Sequence, residues 1–242
     1  VSVIALYYYN GSYIVKEVIH GTNLEDEMVA DAIKKIDGDS LYFRADTFID
    51  LADTLQGKKR RLLAYRAVKL YKSDMQAVSD SMEYNFTDST IGFYTNPILW
   101  TDSNQVTGNT IIVYRNKEGI ERLEAYRNGY VIERDANSLY NQIKGKHLEA
   151  FFIEGKIYKV DVDGNGQSVY YALEDSAKYS GVNDVVCGRM TINIDTNSRI
   201  RTIVFKNKPK ATFYPLEKFP KNKSRLQGFN WYSKQRPKKS IF

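Results

Sequence analysis

Apolar and polar side chains alternate along most of this chain in short runs bounded by Asp, Asn, Ser, Thr and Gly. A period of two over four to eight residues, closed by turn-formers, predicts strands with one buried face. The unit shows twice between Asp80-Ser81-Met82-Glu83-Tyr84-Asn85-Phe86 and Gly108-Asn109-Thr110-Ile111-Ile112-Val113-Tyr114. It recurs from end to end. Asp39 leads to Phe43, Ala45 and Leu51; Asp80 to Tyr84, Phe86 and Ile91; Gly108 to Ile112, Tyr114 and Ile120; Gly145 to Phe151 and Ile157; Gly188 to Ile192, Ile194 and Ile200. A second series interleaves with the first. Its members are Tyr65-Arg66-Ala67-Val68, Tyr94-Thr95-Asn96-Pro97-Ile98, Tyr126-Arg127-Asn128-Gly129-Tyr130, Val162-Asp163-Gly164-Asn165-Gly166 and Phe205-Lys206-Asn207-Lys208-Pro209, read as polar turns leading into another strand. Copies return at intervals of roughly thirty to forty residues, which predicts an array of repeated strands.

The pattern divides the chain into an N-terminal part over residues 1–36, a repeated-strand domain over 37–215 and a basic extension over 216–242. Residues Ala5 to Ile19 read as a hairpin turning at Asn10-Gly11. Asn23 to Ile36 reads as a short helix, with Asn23 as N-cap, acids in the first turn and Lys34-Lys35 in the last; a further strand is the alternative. From Asp39 to Pro215 the pattern predicts about ten to twelve strands in meander order. Polar loops are expected at Asp53–Arg61 and Arg134–Asn141, and an irregular insertion at Ala172–Asn183. After Pro215 the pattern fades into a charged turn at Phe219–Lys223, a short apolar patch at Leu226–Trp231 and a basic tail at Gln235–Lys239, which is expected to be solvated.

Composition supports an all-β chain with at most one or two short helices: 19 Tyr and 11 Phe stand against 5 Pro. The net charge of +6 is uneven, because residues 201–242 carry 12 Lys and Arg against Glu217 alone. That asymmetry points to an anionic partner or surface for the C-terminal end. The single cysteine, Cys187, excludes an internal disulfide and reads as a core residue, and His20 and His147 are too few for a structural zinc. Asp161-Val162-Asp163-Gly164-Asn165-Gly166 matches the first half of a calcium loop, but Ala172 stands where a bidentate Glu is required, so a hairpin turn is the simpler reading. No nucleophile–base set, phosphate-binding glycine loop or nucleic-acid motif emerges, and no cofactor is expected.

Periodicity alone does not separate an apolar face packed shut from one that lines a groove. The candidate groove residues are Tyr84, Phe86, Ile91, Phe93, Ile98, Trp100, Ile112, Tyr114, Phe151, Ile157, Ile192, Ile194, Ile203 and Phe205. Such a groove would suit a molecule with acyl chains and a charged head.

The repeated openers, the Tyr-x-Asn-Pro and Tyr-Arg-Asn-Gly turns, and Trp100-Thr101-Asp102-Ser103-Asn104-Gln105-Val106-Thr107-Gly108-Asn109 resemble the OstA-like (organic solvent tolerance) family that includes LptA. Asn141-Gln142-Ile143-Lys144-Gly145-Lys146, Tyr158 to Gln167, and Leu226-Gln227-Gly228-Phe229-Asn230-Trp231 extend the resemblance. It implies a folded antiparallel sheet, the β-jellyroll or β-taco. It also implies a non-enzymatic periplasmic module for lipopolysaccharide transport and outer-membrane assembly. The expected partners are lipopolysaccharide or lipid A acyl chains and, head to tail through edge strands, further modules of the same kind. The alternative is a structural or adhesive β-repeat protein with a closed apolar core and self-associating edges.

Overall fold

The structure is a computed structural model that describes residues 2–9, 12–20, 41–53, 59–117, 119–135, 137–175, 178–195 and 200–242, with backbone alone for 2–20, 52–53, 59 and 175. Its strands form one 16-stranded sheet, antiparallel at every pairing. In chain order they are β1 Ser2–Tyr9, β2 Ser12–His20, β3 Leu41–Ala45, β4 Thr47–Asp53, β5 Lys59–Lys72, β6 Met75–Asn85, β7 Thr90–Tyr94, β8 Ile98–Thr101, β9 Asn104–Thr107, β10 Thr110–Asn116, β11 Gly119–Arg134, β12 Tyr140–Ile153, β13 Lys156–Asp175, β14 Lys178–Ile194, β15 Ile200–Lys206 and β16 Lys210–Tyr214.

The pairings fold this sheet along a crease into two walls. Wall one runs β4, β5, β6, β7, β10, β11, β12, β13, β14, β15 through the halves of the long strands that hold Tyr65, Met82, Leu123, Ala150, Val160 and Ile192. Wall two runs β2, β1, β3, β5, β6, β8, β9, β11, β12, β13, β14, β16 through the other halves. Each long strand therefore serves both walls. Buried residues of both, among them Phe43, Leu70, Leu99 and Val131 from wall two and Met82, Phe93, Val113 and Ile192 from wall one, form a single cluster between them.

The crease explains both sequence series. Every member of the second series is a corner, with two successive residues at positive φ: Arg66 and Ala67, Thr95 and Asn96, Arg127 and Asn128, Gly164 and Asn165, Asn207 and Lys208. Two left-handed residues on one strand oppose a single residue on its neighbour: Asp80 faces the first pair, Lys146 the third and Gly188 the fourth. This is a wide bulge repeated across the sheet, and it turns each strand from one wall to the other. Crossing amides close the corners, from Asp46 to the Arg66 carbonyl at 3.1 Å, Asn109 to Arg127 at 3.0 Å and Gly188 to Asn207 at 2.9 Å. The openers Asp80, Gly108, Gly145 and Gly188 are where the intervening strands cross the same line.

Several expectations change. Fourteen strands, β3 to β16, lie in Leu41–Tyr214 because the crease divides β3 from β4, β7 from β8, β9 from β10 and β15 from β16. The corners are not hairpin turns, and Asp161–Gly166 lies inside β13. The region read as an irregular insertion is the end of β13 and the start of β14, paired at Ala172 with Gly181, Leu173 with Tyr179 and Asp175 with Lys178, with register shifts between these pairs. The N-terminal hairpin is present as β1 and β2, whereas the helix expected at 23–36 and the opener Asp39 lie outside the described residues.

The basic extension lies against the sheet, and the stretch read as a solvated tail, Gln235–Lys239, is tied down within it by the bond from Arg236 to Gln76 and the buried Pro237. The extension crosses the outer face of wall two as a strap with four 3-10 turns, and no α-helix occurs among the described residues. Phe219 meets Tyr214 and Tyr171, Leu226 joins Val169 and Val182, and Phe242 packs against Tyr42 and Tyr71 at the far end. Three glutamines on the intervening strands, each at most 3% exposed, hold the strap, two by its backbone and one by the Arg236 side chain. Gln142 donates to the Ser224 carbonyl at 2.8 Å and accepts the Leu226 amide at 2.9 Å. Gln105 repeats this with Asn230 at 2.8 Å and Tyr232 at 2.7 Å, and Gln76 accepts from Arg236 Nε at 2.6 Å. A primary amide offers a donor and an acceptor side by side, which is what a passing peptide presents.

Candidate functional site: a trough between the walls

The inner surfaces differ from crease to mouth. On wall one, near the C-terminal end, three successive cross-strand rows are apolar: Leu148, Val162, Met190 and Phe205; then Ala150, Val160, Ile192 and Ile203; then Phe152 with Ile157 and Ile194 with Ile200. Wall two opposes these with an apolar row containing Val131 and Ile143, followed nearer the mouth by a polar row, in which Asn104 pairs with Glu133, Glu133 with Asn141, and Tyr170 with Asn183. A cavity of about 710 Å³ lies between them, lined by Phe152, Ile157, Val160, Ile192, Ile194 and Ile200 on one side and by Asn104, Glu133, Asn141, Ile143, Ser168 and Tyr170 on the other. Its mouth carries charges of both signs, including Asp74, Asp102, Lys156 and Arg236. Ile203 and Phe205 remain half-buried at the C-terminal end, where β15 and β16 have no strand on their far sides among the described residues.

Burial raises the Glu133 carboxyl above its ordinary range; the Asn141 amide, donating at 3.1 Å, partly offsets this, while Asp135 and Asp102 push it further up. The Asn141 oxygen is fixed by the Tyr171 amide at 2.9 Å. Burial, then the Glu133 charge, also raises the Tyr170 phenol. Because the folded Glu133 holds its proton more tightly than the unfolded one, stability falls as pH rises from about 4.5 through the folded value and then levels off. Glu133→Gln is therefore expected to be more stable than the parent at pH 7.5, with the gap closing toward pH 4; urea unfolding at both values checks this.

Nine of the groove residues read from sequence meet in the interior: Tyr84, Ile91, Phe93 and Ile192 as fully buried core, and Phe86, Ile157, Ile194, Ile203 and Phe205 as half-buried neighbours. Five face elsewhere. Ile112 and Tyr114 alternate with the buried Ile111 and Val113 and so stand on the outside of wall one, where the Arg122 guanidinium lies 3.9 Å from the Tyr114 ring. Phe151, between inward Ala150 and Phe152, faces out under Lys159 at 4.8 Å. Ile98 and Trp100 alternate with the inward Leu99 and are buried on the strap side. The polar row was missed by sequence reasoning, although its signal was present: Asn104, Glu133 and Asn141 each lie two positions from an inward apolar residue.

The remaining chemistry is structural. Asp161 pairs with Lys159 at 2.6 Å and accepts from Thr191, and Asp163 pairs with Arg189 at 2.8 Å, so both carboxylates of the calcium-like stretch are engaged on the outer face of wall one. No group of three or more His, Cys, Asp and Glu among the described residues is placed to hold a metal ion. Glu124 joins Arg122, which also bonds Glu149 at 2.6 Å, with His147 stacked on Tyr126. Cys187 is buried at the crease, and burial pushes its thiol up.

A folded antiparallel sheet with an apolar trough and open strand edges defines the structural class. Residues 33–119 match the family model described as LptA/(LptD N-terminal domain) LPS transport protein, so the OstA/LptA-like resemblance holds over that stretch, which includes β3 to β10. Among solved structures, the chain is similar to LptH, the LptA homologous periplasmic component of the conserved lipopolysaccharide transport device from Pseudomonas aeruginosa. That match has 13% identity and a TM-score of 0.44 and covers 58% of this chain and 95% of that one. No curated protein matches the chain.

Proposed function

We propose that this protein is a non-enzymatic, periplasmic module of lipopolysaccharide transport and outer-membrane assembly. In this reading it holds acyl chains of lipopolysaccharide in the trough and joins like modules through its terminal strands. The observation that carries the reading is the cavity of about 710 Å³, whose apolar wall-one rows continue to Ile203 and Phe205 beside the open edges of β15 and β16. Apolar surface left uncovered at the end of a core is the physical requirement for passing a hydrocarbon chain along it. Unpaired edge amides and carbonyls supply the means of adding a neighbour's strand. The match over residues 33–119 supports the same reading.

A photoreactive phenylalanine analogue at Ile203 should crosslink to lipopolysaccharide, and the same analogue at Ile112, outside wall one, should not. Adding Ile194→Glu should lower the Ile203 yield by about tenfold, because an acyl chain would have to share its slot with a carboxylate. Equal yields at the two positions, or no effect of the substitution, would refute lipid carriage in the trough.

A further inference from the structure

The trough is not symmetric, and its asymmetry bears on which chains it takes. Wall one meets the cavity with apolar side chains, Phe152, Ile157, Val160, Ile192, Ile194 and Ile200, up to Lys156 at the mouth. Wall two does not: Glu133, Asn141 and Tyr170, from β11, β12 and β13, turn polar atoms toward the same space, and Ser168, 3% exposed, lies one row deeper. These groups share one side of a slot whose other side is aliphatic. Asn141 already bonds Glu133 and the Tyr171 amide, but plain hydrocarbon laid there would strip water from the remaining Glu133 oxygen and the Tyr170 phenol without offering either a partner, which costs about 1–3 kcal/mol for each group left unsatisfied.

Resting on the acyl-carrier reading above, we propose that this polar row is a hydrogen-bonding track that selects acyl chains bearing hydroxyl or ester oxygens over plain hydrocarbon chains. The chain's hydrocarbon lies against Phe152, Ile157, Ile192 and Ile194, and its oxygen substituents face Glu133 and Tyr170. Asn141 is the positioning residue. Its oxygen is committed to the Tyr171 amide and one N–H to Glu133, so it fixes where the carboxyl sits. The Glu133 carboxyl accepts from a hydroxyl in either protonation state. The Tyr170 phenol adds a donor one strand beyond Asn141.

The test is displacement of an environment-sensitive fluorophore from the full chain by 3-hydroxytetradecanoic acid and by tetradecanoic acid, which share a head group and length. The hydroxylated chain should bind about tenfold more tightly, the ratio a single well-placed hydrogen bond gives. Tyr170→Phe, which keeps the ring and removes only its oxygen, should reduce that preference, and the double variant Glu133→Met, Tyr170→Phe should abolish it. Equal binding of the two acids by the parent protein, or a preference that survives in the double variant, overturns the track while leaving the carrier reading standing. Failure of either acid to displace the fluorophore, together with absent crosslinking at Ile203, overturns the carrier reading itself.

Discussion

Deleting residues 216–242 is expected to cost about 5 kcal/mol or more and to leave a chain that binds hydrophobic dyes and loses its cooperative unfolding transition. The strap is the only cover seen for the outer face of wall two among the described residues, and that face is not built for water. Trp100 is 0% exposed and Tyr42 3% exposed, yet neither points into the trough. Gln76, Gln105 and Gln142 would lose the carbonyls, amides and guanidinium they now hold. Uncovering several large side chains at about 1.5–3 kcal/mol each approaches the whole stability of an ordinary domain, about 5–15 kcal/mol. A milder version isolates the clamp: Gln142→Leu keeps the volume but orphans the Leu226 amide and the Ser224 carbonyl, for an expected cost of about 2 kcal/mol by urea unfolding. An unchanged midpoint in the deletion would mean that the strap is not part of the folded unit.

The strap was invisible in the sequence for a physical reason. Between its apolar anchors Phe219, Leu226 and Phe242, its hold on the sheet runs through its own peptide groups, the Arg236 side chain and glutamines that look like ordinary polar positions of strands, none of which carries a periodic signal. Its Lys and Arg content suggested a tail in water, but cationic side chains say little about where a backbone lies. The repeat was legible because each passage across the sheet uses a similar length of chain and meets the crease at a residue that tolerates crowding or positive φ. What a corner does was not legible. Asn128-Gly129 and Gly164-Asn165 have the local chemistry of a hairpin loop, and only the long pairings on either side show that the strand continues. Facing direction failed where both faces are apolar or the pairing slips. Tyr114 and Phe151 both sit at register shifts, between Tyr114 and Arg115 and between Phe151 and Phe152, and each finds a cation to cover its ring.

The crease itself makes the second large prediction. Gly145→Ala is expected to destabilise the protein by about 2–3 kcal/mol, the cost of forcing extra volume into a packed interior. A Cβ there would lie 2.4 Å from Val162 Cγ1, and Val162 is 2% exposed in the row next to the fold line. The comparison is Gly155→Ala at the β12–β13 hairpin tip, where nothing lies within 4 Å of a new Cβ and φ is +75°. That substitution meets only backbone strain, about 1–2 kcal/mol. The two sites can be separated by a second change: Val162→Ala removes the colliding methyl, so Gly145→Ala in that background should cost clearly less than it does alone, whereas the cost of Gly155→Ala should be unaltered. Strictly additive costs for Gly145→Ala and Val162→Ala would show that neighbouring strands are not in contact at the crease, and the bend would then need another cause than the close approach of β12 and β13 at Gly145 and Val162.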